Sequence, residues 1–215
     1  MDLLQTLTDQ GQVWSGNTWL RHSQHTCPTG YSALDTELPG GGWPLGAVTE
    51  ILLTHPGQGE LRLLLPCLAR LGQQDDRWQF WLNPPHQPHG LGLLHWGLQP
   101  QRQLIIRCER TEDLLWSIEQ ALLSGGSNAV VAWAEALTKA QLRRIQLAAE
   151  KNLLPVFLLR PLKYQDSPSM AALRISLHSQ APQQVSLRIL KSRGAWAREH
   201  HELPMPLFQA RENCA

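Results

Sequence analysis

The sequence predicts an α/β fold: a mostly parallel sheet flanked by helices, with a C-terminal β-hairpin at the sheet edge. Three observations predict it. Between residues 47 and 159, short apolar runs alternate with amphipathic stretches of about 12 residues, the rhythm of strands joined by crossover helices. The first run ends in a glycine-bearing turn, "THPGQG", that opens straight into a helical pattern. After residue 169 the rhythm changes to strict alternation in "AALRISLHS" and "QVSLRILKSR", two strands separated by "QAPQ".

Each element follows in order. Residues 1–26 read as an N-terminal arm: Leu3, Leu4 and Leu7 repeat at helical spacing, and a polar, glycine-containing stretch around Trp14 and Trp19 follows. Residues 27–198 form the core domain. It begins with the turn cluster "LPGGGWPLG", which carries the backbone through unusual φ values. Strands are expected at Ala47–Leu53, Trp78–Leu82, Leu104–Cys108, Ala129–Ala134 and Leu154–Leu159. Helices are expected at Glu60–Leu71, Glu112–Leu123 and Lys139–Glu150, with a Pro/His/Gly loop from Asn83 to Gly92. Residues 199–215, polar and proline-containing, read as a flexible C-terminal tail.

Composition narrows the functional classes. A chain of 215 residues with net charge +1 has no electrostatic footprint for nucleic acid or an anionic membrane, so DNA binding is expected to be weak or absent. No apolar run reaches the length of a membrane span, and a cytoplasmic location is expected. Cys27, Cys67, Cys108 and Cys214 form no C-x-x-C pair, which argues against a metal or disulfide framework. His86, His89 and His95 lack a cysteine or carboxylate at ligand spacing, and His200 and His201 sit in the tail, so no metal site is expected. Ser32 and Asp35 lack the G-x-S-x-G elbow of a nucleophilic serine. Of nine tryptophans, Trp78, Trp81 and Trp133 fall in strand-like runs and read as core; Trp14, Trp19, Trp43, Trp96 and Trp196 read as candidate partner anchors.

The stretch "TEILLTHPGQGELRLLLP" has the layout of a phosphate-binding loop: strand, glycine turn, helix. Its chemistry is missing. After Gly57 and Gly59, the lysine and hydroxyl positions hold Glu60 and Leu61, and a carboxylate there repels a phosphate. No cofactor and no catalytic residue are expected; the chain reads as a non-enzyme built on a degenerate P-loop.

Pro28–Ile51, "PTGYSALDTELPGGGWPLGAVTEI", resembles the segment before the phosphate loop in the RecA recombinase family, which implies a RecA-like fold. "LRLLLPCLARLGQQDDRWQFWLNP" and "NAVVAWAEALTKAQLRRIQLAAEKNLLPVFLLRP" resemble the SulA cell-division inhibitors. Both features at this length resemble the ImuA family of SOS-inducible mutagenesis operons. That likeness implies a non-catalytic interaction module in translesion DNA synthesis, with RecA and ImuB as partners. The alternative is a SulA-type SOS inhibitor that binds FtsZ. Against the RecA pattern, the strand after the first helix ends in Asn83 where an acid should stand, and "NAVVAWAEAL" has no aspartate at its strand end. Arg160 stands where the family keeps a γ-phosphate sensor. The RecA likeness nominates as partner-binding residues the arm (Leu3, Leu4, Leu7, Trp14), and Arg160 beside the basic edge residues Lys191 and Arg193, with self-association as a further expectation.

Overall fold

The computed structural model of the chain describes residues 25–181, 184–193 and 202–206. Leu3, Leu4, Leu7, Trp14, Trp19 and Trp196 lie outside the described residues.

Three apolar runs make the middle of the sheet because they have no polar face to show to water. β3 (Ala47–Leu53) is buried at every position, and β6 (Ser127–Trp133) and β7 (Pro155–Pro161) at all but their last. Burial on both faces is the signature of a central parallel strand. β4 (Trp78–Leu82) and β5 (Gln103–Ile106) extend the sheet on one side. β8 (Leu173–Ala181), β9 (Gln184–Ser192) and β10 (Glu202–Pro206) extend it on the other. The order is β10-β9-β8-β3-β7-β6-β4-β5. Neighbours from β8 to β5 are parallel; β9 and β10 join antiparallel. β8 and β9 are the hairpin that the alternation predicts. β10 falls in the stretch read as a tail, and its backbone pairs with β9 from Glu202 opposite Arg188 to Pro206 opposite Gln184.

Helices cover both faces. α1 (Ser32–Glu37) bridges the small ladder of β1 (Thr26–Cys27) and β2 (Trp43–Pro44). α2 (Glu60–Gln74) packs Leu63, Leu64, Cys67 and Leu68 into one core with Trp43, Trp81 and Phe157. α4 (Thr111–Leu123) and α5 (Lys139–Asn152) close the other, over Val48, Leu82, Val130, Val156 and Leu158. α5 starts in a capping box in which Thr138 and Gln141 exchange side-chain and backbone bonds. α3 (Gly90–His95) lies in the loop expected at 83–92; six residues are too few to show a helical period.

Two departures from expectation have local causes. Trp43, read as a partner anchor, is fully buried and meets Phe157 edge-on at 5.6 Å. The β1–β2 ladder turns the glycine cluster inward, and Gly42 has no side chain because a Cβ there would collide with the Cys27 carbonyl. Pro66 sits inside α2 and removes the N–H that would bond the Arg62 carbonyl. The Tyr31 hydroxyl donates to that carbonyl instead, at 3.0 Å, and this ties α2 to the segment before α1. Trp81 and Trp133 are stacked at 6.2 Å, whereas Trp78, at the start of β4, is 39% exposed.

Candidate functional site

β3, β4, β6 and β7 end along one edge, where α/β sheets place their ligand crevices. A cavity of about 510 Å³ opens there, with Leu53, Trp133 and Leu159 in its apolar lining and Asn83, Glu135 and Arg160 in its polar lining.

The glycine turn borders this cavity. Gly57 and Gly59 hold φ values of 89° and 102°, a region open to glycine and costly for other residues. Glu60 opens α2, is 3% exposed, and accepts the Gly57 amide on both carboxylate oxygens, at 2.9 and 3.1 Å. Gln58 adds a brace, its amide donating to the His55 carbonyl at 2.9 Å. A helix N-terminus attracts an anion through its free amides and dipole. Here the chain supplies that anion itself. Leu61 is half-buried against the α2 core.

Deeper in the edge lies a cluster that sequence reading passed over. Glu50, on β3, is fully buried between two guanidinium groups: Arg160 Nη1 donates to Oε1 at 2.7 Å and Arg174 Nε to Oε2 at 2.6 Å. Arg160 also donates to the Glu135 carbonyl at 3.0 and 3.1 Å and lies 4.7 Å over the Tyr164 ring. Arg174 donates to the Tyr164 and Gln165 carbonyls at 2.8 and 2.9 Å. The cluster therefore pins two loops, one after β6 and one after β7, to the middle of the sheet. The signal was present in the sequence: "VTEILL", "VFLLRP" and "LRISL" each carry one charge inside an apolar strand.

Asn83, where a RecA-like ATPase places an acid, adopts φ 50° and clasps Cys108, accepting its amide at 2.6 Å and donating to its carbonyl at 3.0 Å. It lengthens the β4–β5 ladder and is occupied in doing so.

The structure brings Gly57, Gly59, Glu60, Leu61 and Arg160 to one edge. Arg160 is not a surface contact: its side chain is 2% exposed and committed to Glu50 and Glu135. Lys191 and Arg193 are not beside it. They lie at the start of β8, where Lys191 pairs with Arg174 and the Arg193 amide donates to the Ala172 carbonyl, because β9 runs antiparallel. Lys191 Nζ donates to the Ser169 carbonyl at 2.9 Å, and burial, then the charges of Arg193 and Arg174, hold its pKa below the ordinary lysine value. Arg193 meets Glu150 at 3.4 Å. His89 caps α3 by accepting the Gly92 amide, and no metal-ligating cluster occurs among the described residues. Trp116, 63% exposed on α4, was not singled out from the sequence.

The sequence profile of the cell division inhibitor SulA family matches residues 46–153, from the start of β3 to the end of α5. The chain belongs to the SulA family. It is 33% identical to the cell division inhibitor SulA of Klebsiella aerogenes over 137 residues, 62% of this chain and 80% of the relative. It is 30% identical to that of Serratia proteamaculans over 116 residues, 54% of this chain and 68% of the relative. These matches overturn the ImuA reading, with its translesion role and its RecA and ImuB partners. Of the stretch Pro28–Ile51 behind that reading, residues 28–45 lie outside the matched segment and the rest inside it. Gly42 in that stretch has a packing reason: a Cβ there would meet the Cys27 carbonyl in the turn that buries Trp43 against Phe157.

Proposed function

We propose that this chain is a cell-division inhibitor of the SOS response that acts by binding FtsZ and blocking its polymerisation. The observation that carries the reading is the SulA match across β3 to α5, the elements that build the carboxyl edge. It acts without catalysis. The anion position of the loop is taken by Glu60, and Asn83 and Arg160 are committed to structural bonds. We read the fold as RecA-like with a degenerate P-loop; the turn from β3 into α2 and the parallel order β8-β3-β7-β6-β4-β5 support this. The domain reading stays a core of 27–198 between an arm and a C-terminal segment. The test is sedimentation of FtsZ polymers with GTP. Near-stoichiometric protein is expected to shift FtsZ to the supernatant, and unchanged pelleting at a several-fold molar excess overturns the reading. Titration with Mg-ATP is expected to give neither heat nor turnover.

A further inference from the structure

The cleft has used up its cations. Arg160 is held by Glu50 and the Glu135 carbonyl, and Arg110 is held in a fork by Asp113 at 2.7 and 2.9 Å. The loop amide of Gly57 faces Glu60. An anion entering the cleft therefore finds no uncommitted guanidinium or ammonium group in its lining, and the His55 ring lies 3.1 Å from the Pro56 carbonyl. What remains open is of the opposite kind. Glu109 and Glu135 line the cleft, both are exposed, and neither carboxylate has a hydrogen bond or ion pair among the described residues. Behind them the wall is apolar: Leu53, Leu159 and the Trp133 indole. The volume of about 510 Å³ is within the usual size of a ligand pocket.

An apolar wall behind two free carboxylates suits a cation on a hydrocarbon stem. Such side chains lay their methylenes on apolar surface and keep the charge at the rim, and an indole face adds attraction for the cation. We propose that the cleft receives a lysine or arginine side chain of the partner protein, its stem along Trp133 and its charged head at Glu109 and Glu135. The assignment rests on the reading that the chain works by binding a protein, and charge complementarity selects the occupant.

The probe is n-butylguanidinium, with n-butylsulfonate as the anionic control, followed at the Trp133 indole N–H resonance, which Trp133→Phe assigns. The guanidinium is expected to saturate that shift at about 1–10 mM and the sulfonate to leave it unmoved. Glu109→Gln with Glu135→Gln is expected to weaken the probe, and binding to FtsZ, about tenfold each, two partly screened charges being lost. Both positions are exposed, so circular dichroism should be unchanged. Equal shifts from the sulfonate, no shift from the guanidinium, or a double variant that binds probe or FtsZ like the parent each overturn the assignment. If the parent chain itself fails to bind FtsZ, the functional reading falls, and the probe titration alone still decides whether the cleft selects cations.

Discussion

Glu50 and Glu60 are alike in burial: Glu50 is fully buried and Glu60 is 3% exposed. Their neutralisation differs. Glu50 is held by two guanidinium groups from strands 110 and 124 residues away in sequence. Glu60 is held by one backbone amide three residues back, at the start of its own helix. The first arrangement needs β7 and β8 paired on either side of β3 before it can form; the second is assembled by one turn. The lesson is that a buried charge reports on folding only when its partners are remote.

Mutation can break this comparison. Glu50→Ala strands two buried guanidinium groups and should cost about 3–5 kcal/mol in urea unfolding. A loss below about 1 kcal/mol would mean that the loop carbonyls alone satisfy Arg160 and Arg174. Glu60→Ala should cost about 1 kcal/mol, the usual scale for a helix N-terminal contact. A cost equal to that of Glu50→Ala would erase the distinction between remote and local neutralisation. Asp75 offers a third, more open case, with 30% of its side chain exposed. Burial raises its pKa, but bonds from Arg77 and Asn128 outweigh that and leave it below the usual aspartate value. A depressed folded pKa makes the unfolded chain bind more protons in that window, so stability rises with pH there. Asp75→Asn should therefore cost less than about 1 kcal/mol near neutral pH, after allowing for solvent screening. The difference should shrink as pH falls below about 4, which paired urea titrations at pH 7 and pH 3 would read.

Much of the core was legible from local pattern. β3, β4 and the start of α5 fall where the sequence pattern puts them, because a buried strand reads as a short apolar run and a helix buried on one face imposes its period on the sequence. The absence of lysine and hydroxyl after Gly59 was legible too, since it concerns adjacent residues. The sites of contact were harder. Trp43 looked like a surface tryptophan because its neighbours are glycine and proline, yet the β1–β2 ladder turns it into the core. Arg160 looked like a contact residue; it and Glu50 each stand as a lone charge in an apolar strand, but only the pairing of β3 with β7 brings the two together.

The sequence by itself determined the alternation of strands and helices, the hairpin, and the absence of a lysine and hydroxyl after Gly59, all of which depend on residues within a few positions of one another. Only the tertiary structure decided that Glu60 turns back to fill the loop, and that Arg160 and Arg174 converge on Glu50. It also decided that Lys191 and Arg193 lie away from the cleft, level with Arg174 and Ala172. The reason is geometric. Strand order and direction set which side chains share an edge, and both arise from pairings between segments that are distant along the chain.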